Sequence, residues 1–327
     1  MSTFLHGYEL KGVKESVANF ISNISPQETP FSSMTKKVSE HNTTFSWLTD
    51  VDDTVTVPGT AIKQGDDAAF AELVEPKKLT SFTQIFARAA KVDGTAEAMG
   101  LYGRGKPMAY QMMKAGRAIK KEIEMTLLAK QDGKGATSGA GGQLDGFLTR
   151  RADASGIASP LIPLTNIVKS TAAGVVGFVE ADLQNVLLKV WKAGGRPSVI
   201  MFPPEFAAAM SALRETGNTG VNMFDGEAAV EVNRKVDTYV DPLGQRLKLV
   251  VNQWMPANYI YVLDPSMFEQ RILRNFSTKD LPANGDYVAK QLVVELGLAN
   301  KNPAACGVYN LTGTAIATAE EVVSRKK

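Results

Sequence analysis

The sequence predicts an α+β fold, and three observations carry the prediction. Residues 106–131 (KPMAYQMMKAGRAIKKEIEMTLLAKQ) hold apolar side chains at unbroken helical spacing. Segments rich in Val, Ile, Tyr and Leu recur between residues 197 and 299 and are interleaved with shorter helical stretches. Turn signals such as Pro242-Leu243-Gly244 join neighbouring strands by hairpins. Helices intermixed with antiparallel strands indicate α+β.

Residues 1–93 read as a short amphipathic helix, an extended linker and one long, acid-tipped β-hairpin. A bare two-stranded ribbon is marginal in water, so this arm and ribbon are expected to rest on other chains. Val13, Val17, Phe20, Ile21 and Ile24 share one helical face, with Lys14, Glu15 and Asn19 on the other. Ser25-Pro26 ends that helix, because the residue before a proline is pushed out of the helical region. Thr29-Pro30-Phe31 is expected to continue extended, and Phe31 joins the apolar arm residues expected to pack on a neighbour. A first helix docked on its own core remains the alternative.

Residues 43–49 and 79–92 are the two legs of the ribbon, enriched in the Thr, Phe, Trp and Ile that pleated surfaces favour. Between them runs a connection too long for a compact domain unless it is functional. Asp50, Asp52, Asp53, Asp66, Asp67, Glu72 and Glu75 stand there against the single base Lys63. From Lys77 to Lys130 the balance reverses. Two solvated faces would account for this. The sharper expectation is that the acidic loop of one subunit lies over the basic region of a neighbour, with Lys77, Lys78, Lys114, Arg117 and Lys121 among the inter-subunit contacts.

The helix over 106–131 has Pro107 in its first turn, where the missing N–H is harmless. Met108, Met112, Ala115, Ile119, Ile123 and Leu127 form its apolar stripe, and Lys114, Arg117, Lys121 and Glu124 are placed on the opposite face. At 1.5 Å per residue it would span about 39 Å. A Gly-rich connector, GKGATSGAGGQ, follows. Residues 179–195 predict a second amphipathic helix with Leu183, Val186, Leu187, Val190 and Trp191 inward and Gly194-Gly195 as its stop. PSVIMF (197–202) reads as a buried strand and residues 204–213 as a helix, and 214–233 are polar and loop-like. Strands are expected near 235–241, 246–252, 258–263 and 267–274, with a long one at 288–299 and a turn at Asp264-Pro265. The tail beyond Thr314 is small, polar and charged, and reads as frayed or as a helix that needs a partner.

Composition and motifs exclude more than they propose. Lys and Arg total 36 against 34 Asp and Glu, so no overall field marks a nucleic-acid or membrane binder. A single Cys306, flanked by Ala304, Ala305 and Val308, allows no intrachain disulfide and reads as a buried small residue. No apolar run approaches the ~20 residues of a membrane span, and the N-terminus has no signal-peptide pattern. His6 and His41 both lie in the arm with no Cys or carboxylate at ligand spacing, which gives neither a zinc set nor a nucleophile–base pair elsewhere. GKGATSG lacks phosphate-loop spacing, and Asp50-Val51-Asp52-Asp53 lacks the Gly and Glu of a calcium loop. Asp66-Asp67 has no surrounding pocket residues. Tyr110 and Trp191 sit at core-facing spacing. No catalytic residue, cofactor or metal site is predicted.

Several segments, in order, carry a family likeness: NISPQETPF (23–31), LTSFTQIFARAAKVDGT (79–95), AYQMMKAGRAIKKEIE (109–124), LDGFLTR (144–150), VWKAGGRPSVIM (190–201), NQWMPANYIYVLDPSMFEQRILRNF (252–276) and KQLVVELGLANKNPAACGVYNLTG (290–313). Together they resemble the major capsid proteins of tailed bacteriophages with the Hong Kong 97-type fold, and more narrowly the group typified by the SU-ten head protein. The resemblance implies an N-terminal arm (1–42), an extended loop (43–93), a peripheral domain with the spine helix (94–160 with 284–314) and an axial domain (161–283). It implies subunits that form hexamers and pentamers of an icosahedral shell around double-stranded DNA, made in a bacterial cytoplasm and located in the virion. A separate scaffolding protein, a portal, a possible decoration protein and non-specific contact with packaged DNA are the implied partners. Gly103 and Gly105, at joints between elements, are expected to act as hinges when a precursor shell expands. A Lys–Asn link between neighbours, as in some shells of this fold, would have Lys63 and Asn300 or Asn302 as its conceivable partners. Three rival readings stay open: an encapsulin-like nanocompartment shell, a two-domain α+β enzyme with the acidic loop as a lid, and a nucleic-acid-binding module using 77–130.

Overall fold

The computed structural model describes residues 28–50, 75–99, 106–149, 161–216 and 238–313, with 61, 63–65 and 67 of the intervening loop. The helix expected over 13–24, Gly103 and Gly105, residues 217–233 of the polar stretch and the tail beyond Thr314 lie outside them. The chain divides into two compact units: one from Met1–Glu28, Ala87–Ile119 and Ser277–Val293, the other from Thr29–Phe86, Lys120–Phe276 and Val294–Lys327.

The elements run α1 (Pro30–Met34), β1 (Lys36–Ser39), β2 (Thr44–Thr49), β3 (Lys77–Phe82), β4 (Gln84–Asp93), α2 (Gly94–Ala98), α3 (Pro107–Leu128), β5 (Ile167–Lys169), α4 (Glu180–Lys192), β6 (Val199–Phe202), α5 (Ala207–Thr216), β7 (Thr238–Val240), β8 (Arg246–Val251), β9 (Tyr259–Leu263), β10 (Phe268–Leu281), β11 (Tyr287–Asn300) and β12 (Gly307–Asn310). They make a four-stranded sheet in the order β1-β10-β11-β4, a six-stranded sheet in the order β5-β12-β9-β6-β8-β7, and the two-stranded ribbon β2-β3. This mixture of helices with parallel and antiparallel strands is the α+β fold expected.

Within the larger unit, the six-stranded sheet packs its apolar face on α4 and α5. Leu183, Val186, Leu187 and Val190 of α4 meet Ile200, Phe202, Leu247, Ile260, Val262 and Tyr309 in one buried cluster. Trp191 does not join them and is 49% exposed. Residues 183, 186, 187 and 190 already fill the inward stripe, and Trp191 lies about 100° of helical rotation from Val190. The Tyr309 hydroxyl accepts a hydrogen bond from the Val179 N–H (3.0 Å) and lies 3.0 Å from the Gly177 carbonyl and 3.1 Å from Asp182 Oδ2. Burial, with the nearby Asp182 charge, pushes its pKa up to about 12. Pro242-Leu243-Gly244 makes the β7–β8 hairpin as read, with Gly244 at φ +81° and its N–H on the Asp241 carbonyl at 2.8 Å. Cys306 is fully buried, and burial raises its thiol to about 12.

The spine helix forms over Pro107–Leu128, with Met108, Ile119, Ile123 and Leu127 buried. Other expectations need correction. Thr29-Pro30-Phe31 is not extended: Pro30 opens the one-turn helix α1, where its fixed φ is pre-organised. The leg over 79–92 is not one strand of one ribbon: it breaks at Thr83, whose hydroxyl donates to Glu295 Oε1 (2.9 Å), and β4 belongs to the four-stranded sheet. The strand expected over 267–274 continues to Leu281. The strands β1, β5 and β12 are too short to show a period. The Gly-rich stretch is no loose connector, since Lys134 bridges Gln143 and Thr137 bridges Ala140, and Asp145 Oδ1 accepts from the Gly133 N–H at 2.7 Å. β12, which the resemblance groups with the peripheral domain, pairs with β5 and β9.

Candidate assembly surfaces

Glu124 is the largest departure from the sequence reading. It was expected on the solvent face of α3, yet it is fully buried. Its Oε1 accepts from the Phe31 N–H (2.7 Å) and from Asn252 Nδ2 (2.7 Å), and its Oε2 from the Ser32 N–H (2.8 Å). The free N–H groups of a helix start need such acceptors, and Thr29 supplies no side-chain cap. Burial pushes the carboxyl above its ordinary 4.5, against the pull of these donors. A widened apolar face signals this placement: Leu127 and Leu128 are both buried, and Glu124 lies one turn before Leu128.

The rest of the described arm follows onto its own subunit. Phe31, fully buried, meets the Phe268 ring edge-on at 5.4 Å, so it packs in its own core and not on a neighbour as expected. Gln270 Nε2 donates to the Ser32 carbonyl (3.0 Å) and to Thr35 Oγ1. β1 then lies parallel to β10, pairing Lys36 with Glu269 and Ser39 with Ile272. Arg271 joins Glu40 (2.6 Å) to Glu269 (2.6 Å), and Lys301 approaches Glu269 from the other side at 2.5 Å.

Burial alone would raise Glu269, but the Lys301 hydrogen bond and the charges of Arg271, Lys301 and Lys36 hold it below 4.5. A carboxylate depressed in the fold contributes stability that is present above its unfolded pKa and lost as pH falls through its folded one. Glu124, raised, has the opposite sign: its contribution is fully present below 4.5 and lost as pH rises through its folded pKa. Glu269→Gln is therefore expected to cost about 1.5–3 kcal/mol at neutral pH. It should also flatten the acid side of the stability curve, measured as melting temperature against pH. An acid limb identical to that of the unaltered protein would contradict the assignment.

The base of the ribbon is also seated on its own chain. β2 and β3 pair antiparallel, Thr44 opposite Phe82 and Thr49 opposite Lys77. Phe45 stacks on Trp47 at 5.9 Å, and Trp47 Nε1 donates to the Asn300 carbonyl at 3.1 Å. β11 leaves room for this only because residue 297 is glycine: a Cβ there would lie 2.5 Å from Phe45 Cε1 and 2.6 Å from the Phe82 carbonyl oxygen. Asn300, one conceivable partner of Lys63, is buried, and Asn302, the other, is half-buried with its Oδ1 accepting from the Ala304 N–H at 3.1 Å.

Asp50, Asp67 and Glu75 are exposed, as are Lys77 and Lys78 on β3 and Lys114 on α3. Asp52, Asp53, Asp66 and Glu72 lie outside the described residues, as do Val13, Val17, Phe20, Ile21 and Ile24 of the arm. Arg117 is half-buried, its Nη2 3.7 Å from Met113 Sδ. Lys121 is not fully solvated either: its Nζ stands 5.2 Å over the Trp254 ring, within cation–π range. Among the described residues no group of His, Cys, Asp and Glu is arranged to hold a metal ion, and no helix is long and apolar enough to cross a membrane.

An arm segment, an anchored ribbon, a long helix and a helix-covered sheet make up the Hong Kong 97-type fold. The cyanophage A-1(L) capsid protein is similar over 94% of this chain and 99% of its own, with TM-score 0.64 and 14% identity. The capsid protein of the native GTA particle gives TM-score 0.63 and 15% identity over 94% of this chain and 96% of that one. The SrpI encapsulin of Synechococcus elongatus gives 0.57 and 12% over 97% and 99%. At such identities the likeness is one of fold, shared by phage shells and encapsulins alike. Sequence separates them. The family model for the SU10 major capsid protein matches residues 3–314, and the major capsid protein of Escherichia phage Phieco32 is 31% identical over 342 aligned residues, 94% of this chain and 96% of that one. The chain belongs to the SU10 major capsid protein family. Its function is that of a phage major capsid protein, a self-associating component of the virion shell. The phage reading thus stands over the encapsulin, enzyme and nucleic-acid-binding readings.

Proposed function

We propose that copies of this chain form hexamers and pentamers that tile an icosahedral shell around double-stranded DNA, with the acidic loop of each subunit lying over basic side chains of the next. The observation that carries the loop contact is charge: seven acids and one base from Asp50 to Glu75, against exposed Lys77, Lys78 and Lys114. Complementary charge sets register and encounter rate more than raw affinity. Residues 1–42 act as the arm, 43–93 as the loop with β4 returning into the four-stranded sheet, 94–160 with 284–314 as the peripheral domain apart from β12, and 161–283 as the axial domain, whose sheet takes in β12. Gly103 and Gly105 serve as hinges. A scaffolding protein, a portal and packaged DNA, held by non-specific contacts, complete the set of partners. The chain performs no catalysis.

Assembly of purified protein, followed by light scattering and negative-stain microscopy, tests the loop contact. Raising ionic strength from about 0.1 M to about 1 M cuts the screening length from roughly 10 to roughly 3 Å. The yield of closed shells is expected to fall, and the double variant Lys77→Glu with Lys78→Glu should lower it further at low salt. Shell yield unchanged by both salt and charge reversal would refute the contact while leaving self-assembly intact.

A further inference from the structure

We propose that Glu124 is a clasp, a positioning residue on the spine helix that decides whether the arm segment 29–40 stays docked on its own subunit. The geometry is unusual for a structural carboxylate. Glu124 is fully buried and makes no ion pair among the described residues; its partners are two backbone N–H groups of α1 and the amide of Asn252. A buried carboxylate is tolerable only when hydrogen bonds satisfy it, and here two of three come from the arm. The dependence is mutual. α1 is a single turn with proline at its start and no side-chain cap, so Glu124 is what satisfies its leading N–H groups. Such charge-assisted bonds are about twice as strong as neutral ones.

The third donor is held independently of the arm. Asn252 Oδ1 accepts from the Trp254 N–H at 2.9 Å, and the Asn252 N–H donates to the Phe202 carbonyl at 2.9 Å, which ties it to the six-stranded sheet. One of the three bonds therefore remains in place when the arm leaves, and α1 can re-enter a formed site. The remaining arm contacts, the Phe31 ring, Gln270, the short β1 ladder and the partly exposed Glu40–Arg271 pair, follow α1 along one edge of β10. Docking and release of this segment form a two-state element whose balance rests on one acceptor. The consequence for a shell subunit is that the path of residues 29–40 is set by the subunit itself, before any neighbour binds it.

Hydrogen exchange on the full-length chain, read peptide by peptide, tests the clasp. Glu124→Gln places an amide N–H2 against the Ser32 N–H, two donors facing each other. It is expected to speed exchange of peptides covering 29–40 by about tenfold or more, while peptides of α4, β6 and β9 keep their rates. Asn252→Ala, which leaves both arm bonds in place, should accelerate the same arm peptides less, and it serves in place of Glu124→Gln if that variant fails to fold. Arm peptides that exchange as in the unaltered protein would overturn the proposal. So would arm and body peptides accelerating together, which would make Glu124 an ordinary core hydrogen-bond acceptor.

Discussion

Replacing Gly297 with alanine is expected to unseat the ribbon and abolish normal shells. The added Cβ would stand 2.5 Å from Phe45 Cε1 and 2.6 Å from the carbonyl oxygen of Phe82. A ring alone could turn aside, but this one stacks on Trp47, and the carbonyl belongs to the strand that pairs with β2. Relief therefore requires moving β2 and β3 together away from β11, breaking the bond from Trp47 Nε1 to the Asn300 carbonyl. Overpacking of this kind costs about 1–3 kcal/mol where neighbours can yield, and more where backbone blocks the way. A suitable control is Gly285→Ala, whose Cβ would meet only the Tyr287 ring at an ordinary 3.6 Å. Melting temperature and shell yield should fall for Gly297→Ala and hold for the control. Equal values for the two variants would mean that the ribbon is not seated through this glycine.

The same anchoring revises how the subunit is built. An arm and ribbon without a core of their own were expected to depend on neighbours for their order. In the fold, α1, β1 and the β2–β3 base each have partners on the chain itself: Glu124 and Phe268, the β10 edge, and the Gly297 region of β11. The acidic stretch between Asp50 and Glu75, proposed above to meet a neighbour, then starts from a ribbon base seated on its own subunit. Segments already held by their own subunit lower the ordering cost of association.

How far the sequence could be read follows from the range of the forces involved. Helical period placed α3 and α4 to within about three residues at each end, because burial along a helix is a local pattern. Turn chemistry located the β7–β8 hairpin for the same reason. What escaped was set by partners far along the chain. Nothing near Pro30 announces that an acceptor in α3 will complete its turn, and nothing in the leg over 79–92 announces that Glu295 will hold Thr83 where the strand breaks. Glu124 was misplaced because a charged residue is assigned to solvent by default, although the buried pair Leu127 and Leu128 widened the face beneath it. The charge contrast between loop and spine helix was legible, yet Lys121 turned out to lean on Trp254, and Arg117 to be half-buried.

Phe268→Ala is expected to be the most destabilising truncation that leaves the backbone undisturbed. Phe268 opens β10, is fully buried, and stands between two rings, 5.4 Å from Phe31 and 5.6 Å from Phe147. Phe147 in turn lies 4.3 Å from Tyr261, whose hydroxyl donates to the Leu128 carbonyl at the end of α3 at 2.9 Å. One row of rings thus joins the arm, the segment after α3 and the middle of the six-stranded sheet. Removing this inner member of the row leaves a cavity between the rings of Phe31 and Phe147. Truncations of this kind cost about 3–5 kcal/mol, which for a chain of this size lowers the melting temperature by roughly 10 °C. Phe268→Leu keeps most of the volume and should lose less than half as much. The pair of variants separates two accounts of the site. If the ring row is a cohesive unit, alanine loosens the arm and the sheet in one transition, visible as a single shifted melt. If Phe31 merely rests on a surface, alanine frees the arm alone: peptides over 29–40 exchange faster, the melt of the body stays within about 1 °C, and the leucine variant is indistinguishable from it.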